Sequence, residues 1–309
     1  MGKHSSVIFR AGDYKHPRFW PMWLTFAVLR LMTLLPYRAA IGVGRGIGQL
    51  LFYASRSRQP VIDTNLARCF PEKSEAERDR IKRKCYRNLG VSLIELGMCW
   101  WWSDEQLRKR VEIRGMEHLD AVLASGRGAV LLTGHYTSLE IGGRLLTLFM
   151  PLQGMYRTQR NDMFDSYLYT RRASYCVHII SRKNTRQLIK GIRNQIPTWY
   201  APDQDFKRER NVFAPFMGIP TATISASSRM AQAANAAMLP YYPERKADGS
   251  GYLLHIGPPL DDFPSGDDVR DAGAINQSIE HWVRQFPENY MWIHQRFKTR
   301  PPGEPPFYP

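Results

Sequence analysis

Gly128-Ala129-Val130-Leu131-Leu132-Thr133-Gly134-His135-Tyr136-Thr137-Ser138-Leu139-Glu140-Ile141-Gly142-Gly143 is the stretch whose reading decides the fold. Its aliphatic run reads as a buried strand, and Gly134 punctuates the end of that strand. Thr137 or Ser138 is placed to cap a following helix that carries Glu140 in its first turn. His135 then falls in the crevice at a strand's carboxyl end, where ligands bind in open α/β sheets. Glu140, five residues on, is placed to fold back onto one ring nitrogen, which leaves the other free to take a proton from a hydroxyl. No serine or cysteine nucleophile stands beside the histidine. The pattern therefore suits acyl transfer to a substrate's own hydroxyl, although a lone His-x-x-x-x-Glu match is weak by itself.

Outward from this stretch, strands and helices alternate. Strands are expected at 111–113, 129–133, 154–156, 177–180, 198–201, 239–242 and 252–256. Helices are expected at 117–124, 140–149, 162–175, 185–194, 225–237 and 269–286. This alternation predicts an α/β fold with a central sheet flanked by helices. Arg157 follows the strand ending at Tyr156, and Asp203 and Asp205 follow Trp199-Tyr200-Ala201-Pro202. Three strand ends thus deliver a histidine, an arginine and a carboxylate to one edge. Arg157 suits bidentate phosphate binding, Asp203 suits orienting Arg157 or accepting from a substrate hydroxyl, and Asp205 is taken with them as a candidate substrate-binding residue.

Upstream, Ser74-Glu75-Ala76-Glu77 carries a capping-box pattern that starts a long helix reaching about Gly97. Three adjacent tryptophans follow, Trp100-Trp101-Trp102, and they cannot all enter one core. The segment Phe19–Pro36 is apolar apart from Arg30 and lies near the lower length limit for a bilayer span. Its Trp20, Trp23 and Tyr37 resemble interfacial aromatics. A spanning helix and a helix lying in the interface both fit. No small-residue cleavage site follows, so a removed signal peptide is not expected. Residues 1–60 are read as a membrane-anchoring segment and 61–309 as the catalytic domain. The glycines at 42, 44, 46 and 48 fit either close packing on the first helix or a surface segment. The proline-rich tail after Arg300 is a poor candidate for packed structure.

The 309 residues suffice for a full core, and the formal charge is +15. Such basicity attracts phosphate-bearing or acidic partners; Arg171-Arg172, Arg182-Lys183, Lys207-Arg208 and Arg210 are candidate contributors. No nucleic-acid motif is present, which argues against that class of partner. The four cysteines form no Cys-x-x-Cys pair, so neither a zinc site nor a disulfide framework is signalled. No His-Glu-x-x-His, Gly-x-Ser-x-Gly or phosphate-cradling Gly-Lys loop occurs, and neither metal nor cofactor is expected.

The chain resembles the late acyltransferases of lipid A biosynthesis, the lauroyl and myristoyl transferases of Gram-negative bacteria. The likeness rests on His16-Pro17-Arg18-Phe19-Trp20, Asn65–Glu72, Gly115-Met116-Glu117-His118, the His135/Glu140 motif, Tyr200–Asp205 and Tyr290–Pro301, with the terminal blocks nearer the lauroyl type. It implies a glycerol-phosphate-acyltransferase-like fold with a mixed central sheet and an N-terminal membrane helix. It also implies an inner-membrane enzyme whose active site faces the cytoplasm. The acyl donor would be acyl carrier protein, and the acceptor a hydroxyacyl chain of a Kdo-linked lipid A precursor. In this resemblance His135 matches the general base, Glu140 its charge partner, and Arg157 and Asp203 fall in substrate-binding blocks. Thr158-Gln159-Arg160 departs from the proline and polar pair that usually follow the arginine. A phospholipid-type acyltransferase using glycerol phosphate or a lysolipid shares the same chemistry. A non-catalytic basic membrane-bound binding module would explain the charge and the amino terminus alone.

Overall fold

The computed structural model describes residues 8–205 and 211–308. Lys207, Arg208 and Arg210 therefore lie outside the described residues.

Helices dominate the first third: α1 Trp20–Met32, α2 Tyr37–Ala54, α3 Gln59–Cys69, α4 Glu75–Trp101 and the short α5 Asp104–Arg108. The rest alternates, with β1 Val111–Arg114, α6 Met116–Ala124, β2 Gly128–Leu132, α7 Leu139–Leu146, β3 Gln153–Tyr156, α8 Asp162–Ala173, β4 His178–Ser181, α9 Thr185–Arg193 and β5 Thr198–Tyr200. A hairpin of β6 Asn211–Phe216 and β7 Ile219–Ile224 follows, then α10 Ala226–Ala234, β8 Ala236–Arg245, β9 Tyr252–Ile256 and α11 Asp268–Gln285.

Seven strands form one sheet in the order β1-β9-β8-β2-β5-β3-β4. Only the β8–β9 pairing in it is antiparallel, so five strands run one way and β1 and β9 the other. The sheet is mixed, as expected, and most of its pairings are parallel. Central β2 is buried at all five positions, which its unbroken aliphatic run requires of a strand covered on both faces.

The N-terminal expectation is corrected. Among the described residues no helix is long and apolar enough to cross a membrane. The apolar segment breaks after Met32, because Pro36 disfavours helical geometry at Leu35 and begins the next helix as its N-cap. The remaining 13-residue helix is about 20 Å long, against a hydrocarbon core of about 30 Å. One face of α1 is buried through Phe26 and Leu29, while Trp20, Leu24, Val28 and Leu31 are exposed. The buried face joins the same core as Leu131 and Leu239 of the sheet.

Helix α2 packs on α4 rather than on α1. A β-carbon on Gly48 would stand 2.2 Å from the Tyr86 carbonyl oxygen, and one on Gly90 would stand 2.1 Å from that of Gly44. Only glycine permits this backbone approach, whereas Gly42 and Gly46 face open space. Helix α4 starts with the expected capping box, Ser74 and Glu77 bonding reciprocally. It continues past Gly97 to Trp101, and, against expectation, all three tryptophans reach one core: Trp100 is buried and packs edge-on to Phe26, Trp101 and Trp102 lie partly buried against the same cluster, and Trp102 donates Nε1–H to the Thr33 carbonyl at 3.0 Å.

The carboxyl-terminal tail also differs from expectation. Phe307 is buried against Phe297, and the Tyr308 hydroxyl donates to Asn65 Oδ1 at 2.8 Å. Its two aromatics supply the apolar area that its prolines conceal.

Candidate active site

Strands β2 and β5 are parallel neighbours with Leu132 opposite Tyr200, and the Thr133 amide donates to the Tyr200 carbonyl at 2.9 Å. Three residues beyond that pair on each strand lie His135 and Asp203. The shared register brings them together: His135 Nδ1 is 2.5 Å from Asp203 Oδ1, and the His135 backbone N–H donates to Asp203 Oδ2 at 2.8 Å. Asp203 is buried. Burial pushes its carboxyl up, but the His135 ring, the two hydrogen bonds and the Arg296 charge together hold it well below the usual carboxylate range. It is thus an anion that fixes Nδ1 as the protonated ring nitrogen and leaves Nε2 as the basic one.

The loop bearing His135 is clamped on all sides. Met291 N–H donates to the His135 carbonyl at 3.0 Å, and Thr137 N–H to the Asn289 carbonyl at 2.7 Å. Arg245 forks onto Glu95 at 2.6 and 2.7 Å and donates a third bond to Thr137 Oγ1 at 2.7 Å. A β-carbon on Gly134 would come 2.8 Å from the Ile279 side chain, so the turn needs glycine for space. Neither Thr137 nor Ser138 caps α7 through its side chain. Ser138 occupies the N-cap position, but its hydroxyl donates to the Pro243 carbonyl at 2.6 Å, tying the loop to β8 instead.

The expected contact between Glu140 and the imidazole is not formed. Glu140 starts α7, and its carboxylate is engaged by Arg172 of α8, with Arg172 Nε at 3.0 Å from Oε1 and a second bond from Nη2 to Oε2. Asp203, not Glu140, is the carboxylate that holds a ring nitrogen of His135. Arg172 in turn lies over the Tyr156 ring, 5.6 Å from its centroid, and its pKa is raised: burial lowers it, and Glu140 more than compensates.

Arg157 arrives on the same edge as His135, exposed after β3, and both line one cleft of about 570 Å³. Leu139, Met155, Leu188, Ile189, Ile224 and Met230 make the walls apolar, and Arg157, Arg172, Arg182 and Arg229 add positive charge. Asp203 does not orient Arg157, since both its oxygens serve His135. Asp205 accepts from Thr299 N–H at 2.6 Å and from the Thr299 hydroxyl at 2.9 Å, so it fastens the carboxyl-terminal loop.

His294 is a neighbour that residue patterns did not single out. Its ring centroid is 5.8 Å from that of His135, and Gln204 Nε2 lies 3.0 Å from its Nδ1. Burial, with the nearby His135 charge, pushes His294 down to about 4, which keeps it neutral at ordinary pH. Nothing local in Tyr290–Pro301 signals this role, because it depends on α11 returning the chain to the β2 edge.

A histidine oriented by a buried aspartate and opening on an apolar cleft with a cationic margin is an arrangement chemically capable of base-assisted group transfer. The model of the bacterial lipid A biosynthesis acyltransferase family matches residues 10–299, and the chain belongs to that family. It is similar to the lipid A biosynthesis lauroyltransferase of Escherichia coli, with 36% identity over 294 residues that cover 95% of this chain and 96% of that protein. Similarity to the palmitoleoyltransferase of the same organism is 35% over 297 residues, covering 96% and 97%. For the myristoyltransferase it falls to 27% over 294 residues, covering 94% and 91%. The protein is an acyltransferase of lipid A biosynthesis.

Proposed function

We propose that the protein transfers a fatty acyl chain, lauroyl or similar in length, from acyl carrier protein to the hydroxyl of a hydroxyacyl chain on a lipid A precursor. The observation that carries this reading is an aspartate-held imidazole at the head of an apolar cleft. His135 Nε2 takes the acceptor's hydroxyl proton as that oxygen attacks the thioester carbonyl. The new C–O bond forms, the tetrahedral adduct collapses, and the C–S bond breaks. The imidazolium, facing the Asp203 carboxylate, returns its proton to the departing thiolate. No covalent enzyme intermediate is needed. Glu140 acts through Arg172, holding that guanidinium against the cleft wall, and Arg157 lies at the cleft margin where an anionic substrate group would enter.

The exposed face of α1, with the exposed Leu34 and Leu35 just beyond its end, supports a second element of the reading. It docks the protein in the inner membrane's cytoplasmic interface without a span, as an amphipathic surface does. The acceptor, a lipid, then reaches the cleft from the bilayer.

Presenting labelled acyl-carrier thioester with lipid A precursor, lysolipid and glycerol phosphate tests the assignment by product mass. Acylation of the lipid A precursor alone is expected. Preferential acylation of glycerol phosphate or a lysolipid contradicts it in favour of the phospholipid-type reading.

A further inference from the structure

Arg30 is the one charge in the apolar segment 19–36, and it has no place in the acyl cleft. It sits in the last turn of α1, where its guanidinium stands over the Trp101 ring, 5.8 Å from the centroid. Both residues line a separate cavity of about 330 Å³. This cavity lies where the end of α1, the turn before α2, the end of α4 and the chain around α5 meet. Arg110, just before β1, lines it too, with its guanidinium 4.9 Å from the Tyr37 ring centroid. The bond from Trp102 Nε1–H to the Thr33 carbonyl at 3.0 Å ties two of the walls together.

Lys109 makes a third cation in the lining, and none of the lining residues is acidic. No ion pair among the described residues uses Arg30 or Arg110, and Lys109 meets only Glu105 in an exposed pair. Such an exposed pair is worth little and is easily exchanged for another anion. Arg110 uses Nη1 on the Ser250 carbonyl at 3.4 Å and keeps its other N–H groups. The aromatic faces set the planes of the two guanidinium groups, which leaves N–H edges to donate to a phosphate. Gathering positive charge in a concave space also focuses the field on whatever enters.

The rim decides which anion. Leu34 and Leu35 belong to the lining and are exposed, and Leu31 of α1 is exposed beside them. A soluble phosphate gains nothing from such a rim, whereas a phospholipid carries its charged head and its chains side by side.

We propose that this cavity seats the phosphate head of an anionic phospholipid in the membrane on which α1 docks, with the lipid chains lying along the exposed leucines. The seat anchors the protein and fixes the rotation of α1 at the bilayer surface. The proposal rests on the interfacial docking read above and is independent of the acyl-transfer chemistry.

The test uses the purified full chain, a variant carrying Arg30→Gln and Arg110→Gln, and a control carrying Arg80→Gln and Lys84→Gln. The control removes the same charge from exposed positions in the first half of α4. Melting curves check folding, and Arg30→Gln alone, at an exposed position, carries the test if the double variant unfolds. Affinity is read by sedimentation with vesicles of phosphatidylcholine and of phosphatidylcholine mixed with phosphatidylglycerol. The parent is expected to bind both and to prefer the anionic vesicles. The cavity variant should lose about tenfold or more of its affinity for anionic vesicles, as loss of charge-assisted hydrogen bonds implies, and keep its affinity for neutral ones. The control should bind as the parent does. Unchanged binding in the cavity variant, or equal weakening in the control, would overturn the proposal in favour of general basicity. Calorimetric binding of glycerol 1-phosphate as tight as that of the vesicles would assign the cavity to a soluble phosphate and overturn it as well. A parent that binds both vesicles equally leaves the docking reading standing and removes the headgroup seat; a parent that binds neither removes both.

Discussion

The edge formed by β2 and β5 and the face formed by α7 and α8 each hold a carboxylate against a basic partner, and they differ in what the partner is left free to do. At the strand edge, Asp203 meets His135 with both oxygens, one to the ring and one to the backbone. The imidazole is oriented and keeps Nε2 available to the cleft. At the helix face, Glu140 meets Arg172 through paired bonds, and a guanidinium is always charged and has no acceptor to offer. The first pair can move a proton. The second holds a charge in place.

Four substitutions sharpen or break that contrast, beginning with the largest expected effect. His135→Ala removes the base and should lower the rate by about 10²–10⁴-fold with folding retained; a parental rate of lipid A precursor acylation in the purified variant would break the account at its root. Asp203→Asn keeps the shape but releases the tautomer, and in a histidine held by a carboxylate this costs up to about 10⁴-fold in kcat. A loss under about tenfold would place the orienting group elsewhere. Glu140→Gln weakens the hold on Arg172 and should cost about tenfold, the scale of one charge-assisted hydrogen bond, expressed chiefly in KM. A loss as deep as that of Asp203→Asn, confined to kcat, would return Glu140 to the role its position beside His135 suggests.

The smallest effect concerns His294, which faces His135, Asp203 and Arg58. Its folded value, pushed down to about 4 from an ordinary 6.5, lies below that of the unfolded chain. As pH falls, the unfolded chain takes up the proton first. The stability this group contributes is therefore complete above about 6.5 and is lost as pH drops toward 4. His294→Gln should flatten that part of the pH–stability curve, measured by denaturant unfolding; an unchanged acid slope would show that the ring is not held neutral.

The strand edge was legible in sequence because each piece is local: an aliphatic run, a glycine, then the polar residues that follow. Three strands carrying His135, Arg157 and Asp203 to one edge could be read in this way. The partner of His135 could not, because it depends on β2 and β5 being neighbours in register, 68 residues apart in the chain. Five residues of separation made Glu140 the nearer choice, yet the first turn of α7 aims it at α8. His294 and Arg296 were hidden for the same reason, since their placement follows from the return of the chain after α11. At the amino terminus, hydropathy identified the apolar segment but not its two faces. Pro36 is the residue that limits α1 to 13 positions, and the glycines of α2 found their partner in Gly90 of α4 rather than in the helix beside them.

The most direct test of the central claim is nitrogen NMR of the His135 imidazole in the full chain, compared among the parent, Asp203→Asn and Glu140→Gln. The account predicts a proton held on Nδ1 by Asp203 in the parent and in Glu140→Gln, and a shifted or mixed Nδ1/Nε2 proton distribution in Asp203→Asn. A tautomer that changes with Glu140→Gln and persists in Asp203→Asn would contradict it.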